Sequence, residues 1–186
     1  MIQAGDLRKG MKIEFKGEPY EVIEAQHVKM QQRAPIMRVK IKSLKTGRVI
    51  DETFSAGDKI ELPQLEEKEM QYLYSQDNEY VFMDMETYEQ VSINEEVLGE
   101  AKKFIKENMN VHVLYYKGQP ITVEPPMFVE LKVVETEPPF KGDTASGGTK
   151  PAVLETGATI KVPFHIVEGD IIKVDTRTGE YVERIK

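Results

Sequence analysis

Short runs of alternating apolar and polar residues set the rhythm of this chain. In "MKIEF", Met11, Ile13 and Phe15 alternate with Lys12 and Glu14, the period-2 pattern of a strand with one face buried and one in water. "KGEP" at 16–19 reads as a turn, and "YEVIEAQHV" as the next strand. "IMRVKIKSL" places Met37, Val39 and Ile41 on one face and Arg38, Lys40 and Lys42 on the other, so these two strands form a hairpin. Its tip falls near Gln31 to Ala34, because Pro35 has no N–H for a ladder and suits the loop margin. "KTGR" at 45–48 turns the chain again, and a small SH3-like barrel closes near Pro63.

The pattern continues as β. "EMQYLYSQDNEYVFMDMETYEQVSI" reads as aromatic-rich strands broken at "SQDN" and "MDMET". One helix is predicted: Asn94 caps it, Glu95 and Glu96 sit in its first turn, and Val97, Leu98, Ala101, Phe104 and Ile105 recur at helical spacing. Lys102, Lys103 and Lys106 complement its C-terminal end. "MNVHVLYYKGQPITVEPP" is a hairpin turned at Lys117-Gly118, and Pro125-Pro126 make a domain joint. "MFVELKVVE" opens a third unit. It passes through a Gly, Ser and Thr rich loop, "FKGDTASGGTK", to the short strands of "TIKVPFHIVEGDIIKVDTRTGEYVERI". Five or so strands per unit suit OB-type barrels. The expected fold is all-β, three small barrels in tandem: an SH3-like unit over 1–64 and OB-type units over 65–126 and 127–186.

Composition changes this picture in two places. Cysteine is absent, which excludes disulfides, thiolate nucleophiles and thiolate metal sites and suits a reducing compartment. "MIQAGDLRKG" has no apolar stretch resembling a signal peptide, and no apolar run is long enough to span a bilayer, so a cytoplasmic protein with no membrane partner is expected. The net charge of -7 argues against nucleic acid only as an average. Residues 1–64 carry twelve Lys and Arg against nine Asp and Glu, while 65–126 carry five against thirteen. From 25 to 50 there are Lys29, Arg33, Arg38, Lys40, Lys42, Lys45 and Arg48 and no acid.

Reacting constellations are missing. His27, His112 and His165 are isolated, with no second ligand at metal spacing. "GDTASGGTK" looks superficially like a phosphate-cradling loop, but no Lys-Ser/Thr follows Gly147-Gly148 and no helix pattern opens after it. The carboxylates of the middle unit read as a solvated acidic surface. Neither a cofactor, a metal nor an enzymatic activity is expected. The basic hairpin is better evidence: cationic flanks that neutralise phosphates, and a tip of long side chains, suit an element that tracks an RNA backbone and inserts a few groups into a pocket. OB-type barrels add further RNA-capable surface.

The stretches "AGDLRKGMKIEFKGEPYEVIE", "LKTGRVIDETFSAGDK", "EMQYLY", "YVFMDMETYEQ", "FVELKV", "GDTASGGTKPAVLETGATIKVP" and "EGDIIKVDTRTGEYVER" together resemble bacterial elongation factor P, over essentially the whole chain. The resemblance implies an L-shaped, tRNA-like outline and a monomeric, non-enzymatic factor. Such a factor would enter the ribosome between the peptidyl-tRNA and exit sites and relieve stalling at consecutive prolines by stabilising the peptidyl-tRNA. Its expected partners are both ribosomal subunits, ribosomal RNA, peptidyl-tRNA and mRNA in the exit site. Gln31, Gln32 and Arg33 would approach the acceptor end of that tRNA, and Lys29, Arg38, Lys40 and Lys42 would contact RNA backbone. Gly142, Asp143 and Thr144 match the element facing the exit-site codon, and Arg177, Tyr181 and Arg184 the small-subunit contact; Thr178-Gly179 is a hairpin turn. The tip departs from the family's common Lys-Pro-Gly-Lys-Gly pattern. Lys29 aligns with its first lysine, and Gln32 takes the place of the residue that is modified elsewhere. Gln32 has no amine or guanidinium to modify, so it is expected to act unmodified through its amide, with Arg33 supplying local charge. The altered tip leaves a second reading, a related chain that binds ribosomes or RNA without the proline role.

Overall fold

In a computed structural model of the chain, which describes residues 1–29, 31–139 and 148–186, three larger sheets follow one another and a two-stranded one accompanies the first. The first holds β2 (Lys12–Phe15), β3 (Glu18–Val28), β4 (Ile36–Ser43) and β5 (Val49–Ser55) in sequential order. β1 (Ile2–Gln3) pairs with β6 (Lys59–Ile60) beside it, and a 3-10 turn covers Ala4–Asp6. Lys16 and Gly17 both have positive φ (52° and 77°), the backbone that joins twisted strands through a two-residue turn. The inward faces bring Leu7, Ile13, Val22, Met37, Val39, Ile41 and Ile60 into one core, as their alternation requires. Phe15 meets Tyr20 and Phe54 edge-on at its margin.

The second sheet runs in the order β11-β10-β7-β8-β9, from β7 (Leu65–Gln76), β8 (Glu79–Asp84), β9 (Gln90–Asn94), β10 (Asn110–Tyr116) and β11 (Gln119–Glu124). The helix predicted through Ile105 is shorter than its spacing suggests. Asn94 does cap it, its side chain accepting from Glu96 N–H at 2.9 Å. However, α1 spans only Glu95–Leu98 before the chain tightens into a 3-10 turn over Gly99–Lys103. Gly99 at φ 51°, ψ -126° breaks the α ladder in a conformation that side chains resist. The lysines then pair individually: Lys102 with Glu95 at 3.0 Å, Lys103 with Glu100 at 2.6 Å and Lys106 with Glu155 at 3.7 Å.

The third sheet has the order β14-β13-β12-β15-β16, formed by β12 (Phe128–Thr136), β13 (Thr149–Leu154), β14 (Thr159–Pro163), β15 (Ile171–Asp175) and β16 (Glu180–Arg184). β14 also packs on β16, which closes the sheet into a barrel. The strand β13 begins inside what the composition marks as loop; Pro151 in its middle disguises it. Val129, Leu131, Val133, Leu154, Val162, Ile166, Ile172 and Val174 fill the barrel, and Phe104 joins them from outside its strands.

Two compact units result: residues 1–67 with 114–122, and residues 68–113 with 123–186. Within the first, Tyr116 donates its hydroxyl to a Glu14 carboxylate oxygen and stands 3.2 Å from the Gly17 carbonyl, while Lys117 Nζ lies 3.8 Å from Glu14. The Glu14 carboxylate pushes the Tyr116 phenol above its ordinary pKa. Among the described residues no helix is long and apolar enough to cross a membrane.

Candidate nucleic-acid interface

The β3–β4 hairpin is the longest in the first sheet, and its register decides what its basic face presents. On β4 the outward residues are Arg38, Lys40 and Lys42. Arg38 stands between Gln26 and Thr53, Lys40 between Glu24 and Asp51, and Lys42 between Glu21 and Val49. Directly opposed residues share a face, so these are true neighbours. Lys40 Nζ lies 3.9 Å from Glu24 Oε2, an exposed ion pair worth at most about 1 kcal/mol in stability. Its larger effect is to cancel charge. The acids that the sequence keeps outside positions 25–50 are thus laid alongside Lys40 and Lys42 by pairing. A bulge between Val22 and Glu24 sharpens the strand's twist and helps set this register.

Towards the tip the compensation ends. Lys29, Gln31, Gln32, Arg33, Ala34 and Pro35 are all exposed, and so is Arg38. Gln32 has φ 65°, a left-handed conformation that a residue with a Cβ adopts at a cost, and it turns the backbone at the tip. A groove of about 230 Å³ beside Arg38 is lined by Glu24, Gln26, Lys40, Asp51 and Thr53. The structure therefore separates the predicted backbone contacts into two sets. Lys29 and Arg33 stand exposed at the tip and Arg38 has neutral residues directly opposite it, with Glu24, Asp51 and Glu52 further along the same groove, whereas Lys40 and Lys42 have carboxylates directly opposite. No signal in the linear sequence distinguishes these sets, since Glu24 and Asp51 reach Lys40 only through strand register.

In the C-terminal barrel, Arg177 is held by Asp175: Nε and Nη2 donate to the two carboxylate oxygens at 3.1 and 2.9 Å. The guanidinium keeps the Asp175 carboxyl below its usual range. The same aspartate accepts from Arg177 N–H at 2.9 Å, and Gly179 at φ 76° completes the hairpin turn. Arg177 also stands 5.8 Å from the Phe128 ring centre, with Lys173 Nζ 4.7 Å from it. Tyr181 is half-buried against the barrel core, and burial pushes its phenol up. Arg184 is exposed at the end of β16. Gly142, Asp143 and Thr144 lie outside the described residues.

Arg177, Lys102, Lys103, Thr156, Thr176 and Thr178 line a cleft of about 840 Å³. Its cations are already paired with Asp175, Glu95 and Glu100. Among the described residues no group of His, Asp and Glu is arranged to hold a metal ion.

A chain of successive small β-sheets with a cation-flanked hairpin tip and OB-type barrels falls in the class of tandem-barrel proteins built around nucleic-acid-binding folds. Models described as the elongation factor P KOW-like domain, OB domain and C-terminal domain match residues 3–60, 65–123 and 129–184. Elongation factor P of Thermodesulfovibrio yellowstonii is 68% identical over 186 residues, covering 100% of both chains. Those of Pelotomaculum thermopropionicum and Campylobacter fetus are 54% and 55% identical, over 100% and 97% of this chain and 100% and 95% of theirs. The chain belongs to the elongation factor P family, a family of translation factors and not of classical enzymes. A solved structure of initiation factor 5A from Methanococcus jannaschii shares the fold, with TM-score 0.56 and 18% identity over 67% of this chain and 93% of its own.

Proposed function

We propose that this chain binds the ribosome between the peptidyl-tRNA and exit sites and speeds peptide-bond formation at consecutive prolines. It would do so by holding the peptidyl-tRNA in a reactive geometry. Proline is a stiff, poor nucleophile, so fixing its partner lowers the barrier without the factor supplying a reacting group. The observation that carries this reading is the tip: Gln31, Gln32 and Arg33 stand exposed beyond the last strand pair, next to exposed Lys29, and Arg38 faces Gln26 and Thr53 directly across the strands. The tip approaches the tRNA acceptor end, and Gln32 acts unmodified through its amide, donor and acceptor at once. Lys29, Arg38, Lys40 and Lys42 meet RNA backbone, Arg38 more strongly than Lys40. The segment with Gly142, Asp143 and Thr144 faces the exit-site codon, and Arg177, Tyr181 and Arg184 meet the small subunit and its RNA.

The three sheets support domains over 1–64, 65–126 and 127–186, each presenting a different surface, in a protein that works as a monomer in the cytoplasm. The departure of the tip from the family's common pattern favours one competing reading, a ribosome- or RNA-binding relative without the proline role. A reconstituted translation assay separates them by timing bond formation through consecutive prolines with no modifying enzymes present. Under the proposal the unmodified chain accelerates the reaction, and Gln32→Ala or Arg33→Ala removes most of the gain. Ribosome binding with no change in rate would mean either the competing reading or a tip that needs modification after all, and repeating the assay with protein purified from its native host separates the two.

A further inference from the structure

We propose that Tyr88 is a docking anchor for a basic protein surface of the ribosome: its ring takes an arginine or lysine side chain, and the carboxylates of Glu86 and Glu89 beside it pair with that partner's charge. The proposal rests on the reading above only for where the partner is found; the chemistry it names, protein and not RNA, goes beyond that reading.

Two independent features single out this residue. Tyr88 is 69% exposed, more than any other large apolar side chain among the described residues except Met1. One exposed aromatic is ordinary on a protein surface. Its backbone is not, for φ is 64°, in the left-handed region. The other described residues besides glycine that share this backbone are lysine, glutamine, aspartate and asparagine, so Tyr88 is the one ring among them. A bulky side chain is strained there, whereas glycine would be free of strain. Among the described residues no other ring and no cation stacks on Tyr88, so the ring is displayed and not packed.

The loop that carries the ring is ordered before any partner arrives. Residues 85–89 join β8 to β9, and the buried Asp84 holds them from inside. Its carboxylate accepts from the Glu86 and Thr87 N–H groups at 2.8 and 3.3 Å, and its main-chain carbonyl accepts from Tyr88 N–H at 2.8 Å. Asp84 N–H donates in turn to the Glu89 carbonyl at 2.8 Å and closes the base of the loop. A ring on a pre-ordered loop loses little further freedom on binding, which is the property of anchor residues at protein interfaces.

Charge decides the class of partner. Glu86, Glu89 and Glu69 are exposed, and Met85 N–H donates to the Glu69 carbonyl at 3.2 Å, so Glu69 borders the loop. Lys68, on the same strand as Glu69, lies 4.0 Å from Asp84 at the base. The whole stretch 65–126 carries five Lys and Arg against thirteen Asp and Glu. Such a surface repels phosphates and draws in cationic side chains. A guanidinium can stack on a tyrosine ring while its edge pairs with carboxylates.

The test uses full-length protein and purified ribosomes. Tyr88→Ala and Tyr88→Gly should each raise the Kd roughly tenfold, and Tyr88→Phe, which keeps the ring face, should stay within about twofold. Tyr88→Gly relieves the backbone and should melt close to wild type, which separates loss of the ring from loss of the fold. Glu86→Gln combined with Glu89→Gln should weaken binding too; tighter binding would mean that the loop faces RNA and would overturn the proposal. The chain has no cysteine, so Thr87→Cys offers a single attachment point for a photocrosslinker beside the ring. On the ribosome it should join to a peptide rich in arginine and lysine, and joining to RNA alone overturns the proposal. If wild type binds ribosomes and Tyr88→Gly binds them equally well, the anchor is disproved and the reading of the factor stands. If wild type does not bind ribosomes, that reading fails and takes the anchor with it.

Discussion

Gln32 and Asp84 show how much a single position can be asked to do. Gln32 keeps φ 65° where glycine would be free of strain. Glycine there would relieve about 1 kcal/mol of left-handed strain, but would return a similar amount as extra freedom of the unfolded chain. Gln32→Gly is therefore a probe of the side chain that leaves stability within about 0.5 kcal/mol, the two contributions offsetting. It should abolish proline stimulation, and retained stimulation would show that the tip works by its backbone. Asp84, 7% exposed, accepts from the N–H groups of Glu86 at 2.8 Å and Thr87 at 3.3 Å and lies 4.0 Å from Lys68. The Glu86 N–H is the main cause that holds its carboxyl below the usual range. Its folded pKa thus lies below its unfolded one, so its contribution is whole above the ordinary carboxylate range. That contribution is lost as pH falls through the folded value. Thermal melts of Asp84→Asn against wild type should differ most near neutrality and converge in acid; a constant gap across the range would show that the turn, not the charge, is what matters.

At the scale of the element, the hairpin converts a linear run of cations into a graded surface. Neutralising one phosphate contact changes the slope of log binding constant against log salt by about 1. Arg38→Gln should therefore lower that slope for ribosome binding by about 1, and Lys40→Gln by clearly less, because Glu24 and Asp51 already offset Lys40. Equal effects of the two substitutions would mean that the flanking acids do not screen the bound RNA. The hairpin's existence and its exposed tip were legible from the alternation of Met37, Val39 and Ile41 with Arg38, Lys40 and Lys42. Its charge gradient was not, because it depends on which residue faces which across two strands and on the bulge at Ile23. The helix after Asn94 failed in a different way. Its cap and apolar spacing were legible, yet Gly99 ends the α turn, and Phe104 is buried by another barrel's strands and not by its own helix face.

At the scale of the molecule, Phe104 makes the larger compact unit one body. Its ring is 5% exposed and sits with Val129, Leu131 and Ile172 in the C-terminal barrel, 3.6 Å from where a Cβ on Gly179 would lie. Around it, Thr156 Oγ1 donates to the Lys103 carbonyl at 2.6 Å and Thr176 Oγ1 to the Pro126 carbonyl at 2.6 Å. A barrel that borrows part of its core from the segment after α1 cannot open without exposing that ring. Truncation of a buried phenylalanine costs about 3–5 kcal/mol. Phe104→Ala should accordingly speed native-state hydrogen exchange by orders of magnitude across β12–β16 while leaving β2–β5, in the other compact unit, near their wild-type rates. Exchange that accelerates equally in β2–β5 would show that both units open in a single cooperative step. Exchange unchanged in β12–β16 would show that the barrel is complete without the borrowed ring.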